Sequence, residues 1–152
     1  MRLVLQRVQE ARVEIDNKIV GQCAQGLMIL VGIGSDDTRA SVEALCDKAL
    51  GLRIFDDGNG KMNLSIKDID GEILAVSQFT LYANCRHGRR PSFTNAAAFE
   101  QGRSLYEHFC ACIQARHIRC QTGVYGADMQ VHLINDGPVT ICLDSDIDCR
   151  HV

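Results

Sequence analysis

Apolar and polar residues alternate loosely from Leu3 to Ile15, in a stretch that contains several Val and Ile residues. A period of two with β-branched side chains predicts a long strand. The alternation falters at Glu10-Ala11, where a bulge is expected. Asp16-Asn17 predicts a hairpin turn, and Ile19–Ala24 and Leu27–Ile33 predict two further strands separated at Gly26. Three consecutive strands favour an antiparallel start. The period then changes. In Ser41–Leu50, residues Val42, Leu45, Cys46, Ala49 and Leu50 fall at i, i+3, i+4, i+7 and i+8, which makes one apolar helical face. Asp37 or Thr38 can cap this helix and Gly51 can end it. Leu52–Phe55 predicts a short strand, Asp56–Gly60 a turn, and Glu72–Tyr82 a central strand. A second helix is expected over Ala97–Arg116, with Phe99, Gly102, Tyr106, Phe109 and Ile113 on its core face. Thr122–Tyr125, Met129–Ile134 and Val139–Leu143 predict a strand-rich end.

No linker interrupts this pattern, so residues 1–152 are expected to form one mixed α/β domain, two main helices against largely antiparallel strands. A chain of 152 residues can bury a sizeable core. Its start lacks the basic-then-apolar order of a secretion signal, because Gln6 and Arg7 interrupt Leu3–Leu5. No apolar run approaches the ~20 residues of a membrane helix. A soluble, cytoplasmic protein without a membrane partner is expected.

Eight cysteines in such a chain are expected to be reduced thiols, mostly small core fillers. No Cys-x-x-Cys pair occurs. His108 and Cys112 are four apart and could share a metal on one helical face, but no companion pair is evident in the sequence, so no metal or cofactor is expected. The net charge of −3 argues against a broadly basic surface for nucleic acid. Basic residues do cluster locally. Arg116, His117 and Arg119 sit at an expected helix end, where cations are favoured anyway. Arg86, His87, Arg89 and Arg90 crowd a loop with no helix to cap, which makes Arg86, Arg89 and Arg90 the better candidates for phosphate contact.

Familiar catalytic patterns are missing. There is no Gly-x-Ser-x-Gly elbow, no glycine-rich phosphate loop before a helix, and no paired carboxylate motif. Two strings stand out instead. Ser77-Gln78-Phe79-Thr80-Leu81 follows the apolar run Ile73–Val76. Asn135-Asp136-Gly137-Pro138-Val139-Thr140 separates two strand-like runs and holds one of only two prolines. An ordinary turn is the simplest reading of the second string. However, proline after glycine removes an N–H and fixes φ, so a rigid, sharply bent loop is the other.

Together these strings resemble the D-aminoacyl-tRNA deacylase family. So do Met1–Val8, Gly60–Leu64, Arg90-Pro91-Ser92-Phe93 and Gly126–Val131, in the same order. The resemblance runs from Met1 to about Leu143 and leaves the tail 144–152 without a family signal. It implies a three-layer β/β/α homodimer that hydrolyses the ester of a D-amino acid on tRNA and proofreads chirality. It implies that Ser77, Gln78, Phe79 and Thr80 form the catalytic string, with the Gln78 and Phe79 N–H groups facing the scissile carbonyl. Either Thr80 or the ribose 2′-hydroxyl could be the nucleophile. It also implies that Gly137-Pro138 is cis and enters the partner subunit's site, where its backbone holds the substrate amino group and excludes an L side chain. Arg7 is then the residue that orients this loop. A filter of that kind has nothing to exclude in glycine, so tRNA carrying a D-amino acid or glycine is the expected partner, and DNA is not. Two other readings are weaker. A non-enzymatic nucleic-acid-binding role would need a basic tail, whereas Asp144–Asp148 is acidic. A generic esterase would need a triad.

Overall fold

The alternation read from the sequence sorts side chains into two apolar cores, one on each face of a central sheet. In this computed structural model, residues 1–149 are described. Strand β1 (Arg2–Ile15) is antiparallel to β2 (Lys18–Cys23) and β3 (Gly26–Gly32). Helix α1 (Arg39–Gly51) follows, then a small hairpin of β4 (Phe55–Asp56) and β5 (Met62–Leu64). Strand β6 (Glu72–Ser77) runs parallel to β3, and a 3₁₀ turn (Phe79–Tyr82) follows it. Helix α2 (Phe99–Ala115), β7 (Cys120–Thr122), β8 (Gln130–Asp144) and a helical turn, α3 (Ser145–Asp148), complete the order. The sheet runs β2-β1-β3-β6-β7, with β8 on β1. The Gln22 N–H donates to the Gln121 side chain at 2.9 Å, so the outer strands approach and the sheet nearly closes.

On β3 and β6, Leu27, Ile29, Val31, Ile73 and Ala75 face the helices and join Val42, Leu45, Phe109 and Ile113. Their neighbours Met28, Leu74 and Val76 face the other way and join Val8, Ala11, Val13 and Cys23. This period-two division of buried residues generates the β/β/α layering. Strand β1 serves both cores. Leu3 and Leu5 face the helices, whereas Val8, Ala11 and Val13 face the second core. One extra residue between Val8 and Glu10 in the β8 register keeps Val8 and Ala11 on one face. The bulge thus lies one or two positions before the expected Glu10-Ala11.

The five apolar positions expected on α1 are all buried. Thr38, not Asp37, caps the helix, in a reciprocal pair with Ser41. Asp37 instead accepts from the Gly34 N–H at 2.7 Å and pairs with the Met1 amine. Gly51 does not cap α1. It is the last helical residue, and Leu52 leaves in an extended conformation. Three further expectations are corrected. The central strand stops at Ser77, because the chain turns into a 3₁₀ helix instead of continuing to Tyr82. The two late runs are one strand, since both pair with β1. Phe99 is not core: it is 56% exposed at the start of α2, edge-on to Tyr125 with ring centroids 5.2 Å apart. Gly102 admits that tyrosine, since a Cβ there would lie 2.4 Å from the Tyr125 hydroxyl.

Candidate active site

Strand β6 carries its apolar residues into both cores and delivers Ser77 to the end of the sheet, next to Val31 of β3. A cleft of about 520 Å³ opens there. Ser77, Gln78 and Phe79 line one side, and Phe99, Tyr125, Asp128 and Met129 line the other. Among the described residues, Asp128 is the sole carboxylate on the lining, and neither histidine nor cysteine contributes to it. The cleft therefore offers no donor set for a catalytic metal. Burial raises the Tyr125 hydroxyl above its ordinary value, so it stays protonated at neutral pH.

Within the string, the donors differ from expectation in one respect. The Gln78 N–H already donates to the Val31 carbonyl at 2.7 Å, as a continuation of the sheet ladder. The Phe79 and Thr80 N–H groups, at the start of the 3₁₀ turn, have no acceptor among the described residues. A turn leaves its first N–H groups unpaired by geometry. The adjacent free donors are thus Phe79 and Thr80, not Gln78 and Phe79. The Gln78 side-chain amide donates to the Thr80 hydroxyl. No carboxylate or imidazole bonds that hydroxyl among the described residues.

The Gly-Pro string lies elsewhere on the sheet. Gln6 pairs with Thr140 and Val8 with Asn135, so Asp136–Val139 bulge out opposite Arg7 alone. The Gly137-Pro138 peptide bond is cis. Gly137 has φ +132°, and a Cβ there would lie 2.9 Å from the Val139 side chain and 3.3 Å from the Arg7 guanidinium. Only glycine suits both the conformation and the space. Arg7 is 6% exposed. Its Nε donates to the Asp136 carbonyl at 2.9 Å, and another guanidinium nitrogen donates to the Ile54 carbonyl at 2.6 Å. Asp136 and Asp56 carboxylates lie 3.3 and 3.6 Å from it.

The registers separate the two strings. Arg7 pairs with Leu27 and Leu27 with Ile73, whereas Ser77 is four residues further along β6. Three strand spacings and four residues amount to about 20 Å along the sheet. Neither Gly137 nor Pro138 lines the cleft of its own chain.

The two basic clusters also part company. Arg116 pairs with Asp47 and Arg119 with Glu72, so the charge of each is matched by a carboxylate of the same chain. Arg86, Arg89 and Arg90 are exposed and form no ion pair among the described residues. Their loop is closed by paired Asn84 and Ser92 backbones, and Phe93 then packs edge-on against Phe79 at 5.1 Å. The loop is thereby anchored beside the cleft. Away from it, the fold gives His108 and Cys112 a companion that the sequence had not revealed, Glu43 of α1.

The family model described as D-Tyr-tRNA(Tyr) deacylase matches residues 4–144. A protein of Thermotoga petrophila named D-aminoacyl-tRNA deacylase is 56% identical over 145 residues, covering 95% of this chain and 97% of its own. A Koribacter versatilis protein of the same name is 54% identical over the same shares. Among solved structures, one titled c-Myc DNA Unwinding Element Binding Protein superposes with a TM-score of 0.89 at 38% identity, covering 95% of this chain and 98% of that one. A probable eukaryotic D-amino acid tRNA deacylase superposes with a TM-score of 0.81 at 21% identity, a likeness of fold. Fold, site and relatives define a hydrolase acting on aminoacyl-tRNA. The chain belongs to the D-Tyr-tRNA(Tyr) deacylase family.

Proposed function

We propose that this protein hydrolyses the ester of D-aminoacyl-tRNA in the cytoplasm, as a homodimer in which each subunit's Gly137-Pro138 loop completes the other's cleft. The observation that carries the reading is the separation of the two strings. Both have built geometry, yet about 20 Å of sheet lies between them in one chain. Across a two-fold axis, one loop could enter the other cleft, in an exchange that is reciprocal by symmetry.

An aminoacyl ester is already activated, so its hydrolysis needs a positioned nucleophile and a stabilised oxyanion. The free Phe79 and Thr80 N–H groups are suited to the oxyanion, and one such donor is worth roughly 10²–10³ in rate. Among the described residues no base bonds the Thr80 hydroxyl, which favours the ribose 2′-hydroxyl beside the ester as nucleophile and leaves Thr80 to orient the substrate. Ser77 lines the same cleft and can hold the turn or contact substrate. Arg86, Arg89 and Arg90 would meet the phosphates of the tRNA. Chirality would be read by backbone. A pocket discriminates by only about 1–3 kcal/mol per methylene, whereas a rigid Gly137-Pro138 wall turns an L side chain into a clash. Glycine presents no side chain, so glycyl-tRNA would be accepted.

The test is to incubate the protein with matched D- and L-tyrosyl-tRNA, with and without chelator. Fast loss of the D ester alone, unaffected by chelator, is expected. Equal rates on the two esters, or activity abolished by chelator and restored by metal, would overturn the proposal.

A further inference from the structure

We infer that Glu43, His108 and Cys112 form a zinc site that clamps α1 to α2. His108 and Cys112 lie one turn apart on α2, and Glu43 reaches them from α1. The Cys112 sulfur is 3.6 Å from His108 Nε2. Tetrahedral zinc with ordinary bond lengths sets its nitrogen and sulfur ligands about 3.6 Å apart. The same His108 nitrogen is 2.8 Å from a Glu43 oxygen, and all three donor atoms lie within 4.8 Å of one another. In a zinc site the nitrogen–oxygen spacing is about 3.3 Å, so Glu43 has to withdraw by about 0.5 Å. Its side chain is 53% exposed and free to do so.

A His108–Glu43 ion pair would account for two of these residues. The Cys112 sulfur is also within hydrogen-bond distance of the same His108 nitrogen, but one imidazole nitrogen cannot serve the thiol and the carboxylate fully at once, whereas a softer cation would engage all three donors together. Electrostatics also suit a dication. Asp47 stands one turn along α1 from Glu43 and pairs with Arg116, which itself donates to the Cys112 carbonyl at 2.8 Å. With zinc bound and the thiol ionised, the charges of Zn²⁺ and Arg116 balance those of Glu43, Asp47 and Cys112. Zinc is held by the thiolate, so its binding would displace the Cys112 thiol proton to solvent. Water would complete the coordination. The site is separate from catalysis, since His108 is nine residues, about 13 Å, along α2 from Phe99 at the cleft. It therefore stands whether or not the deacylase reading does.

The experiment titrates full-length, reduced, metal-free protein with Zn²⁺ by calorimetry, and with Co²⁺ as a spectroscopic probe. A Cys85→Ser/Cys142→Ser background removes the two exposed thiols. We expect one ion per chain, a cobalt spectrum showing tetrahedral geometry and thiolate charge transfer, and a raised Tm. Glu43→Gln, His108→Ala and Cys112→Ser should each weaken Zn²⁺ at least tenfold and leave deacylation unchanged. Glu43 is exposed, so its variant is not at risk of unfolding. No stoichiometric binding, or binding that survives Glu43→Gln and His108→Ala undiminished, would overturn the inference.

Discussion

Arg7→Met would separate the support of the Gly137-Pro138 loop from the loop itself. Methionine fills most of the volume of the arginine stem but offers no donor. The guanidinium is almost fully buried and donates to two backbone carbonyls, of Asp136 and Ile54. Hydrogen bonds from a charged donor contribute about 1.5–3 kcal/mol each. The carboxylates of Asp136 and Asp56 are 33% and 54% exposed and add little, because solvent screens them. A loss of about 3–6 kcal/mol is therefore expected, the sum of the two bonds, because both carbonyls lose their donor. Arg7→Lys keeps the charge but cannot reach both carbonyls, and about half that loss is expected. Urea unfolding would measure both. The carbonyl held by Arg7 Nε belongs to the residue before Gly137, so the loop should shift with it. A displacement of about 1 Å at a reacting centre can cost 10²-fold in rate. Hydrolysis of D-tyrosyl-tRNA by Arg7→Lys, assayed where the protein remains folded, should fall on the order of tenfold or more, with weaker rejection of the L ester. A stability change under about 0.5 kcal/mol would refute the energetic reasoning. A full loss of stability with unchanged rates on both esters would refute the link to the site.

Thr80→Ala should lose only modest activity if the ribose hydroxyl is the nucleophile, and a trapped acyl group on Thr80 would prove that assignment wrong. If the loop completes a neighbour's cleft, sedimentation should find a dimer at working concentration; a fully active monomer would exclude the exchange. Glycyl-tRNA should be hydrolysed while L-alanyl-tRNA resists; equal resistance would mean that the site reads a D side chain positively. Burial pushes the Cys46 thiol up to about 12 and the Cys23 thiol up to about 11. A thiol that ionises more readily when unfolded costs stability as pH rises from its unfolded value, about 8.5, to its folded one. In reductant, stability should therefore fall from about pH 9 to 11, by up to about 1.4 kcal/mol per pH unit for each thiol, and Cys46→Ala should flatten the slope. A flat profile over that range would contradict the burial argument.

The sequence by itself determined most of the elements, because period and capping chemistry are local. The apolar face of α1 and the strand character of β1, β3 and β6 all follow from residues within a few positions of one another. Chain order along familiar strings likewise carried the family. Tertiary structure decided what depends on residues far apart. Two late apolar runs became one strand because both found β1, which hydropathy cannot register. Phe99, the first residue of α2, lies outside the core, edge-on to Tyr125 from another segment. The Gln78 N–H was lost as a free donor to a carbonyl on β3, and the next two N–H groups became available only through the 3₁₀ turn. Glu43 reached His108 and Cys112 across 65 and 69 positions, through the packing of two helices. The distance between the Ser77–Thr80 string and Gly137-Pro138 exists only once the strands are in register. Register is a property of paired strands, and no single stretch of sequence contains it.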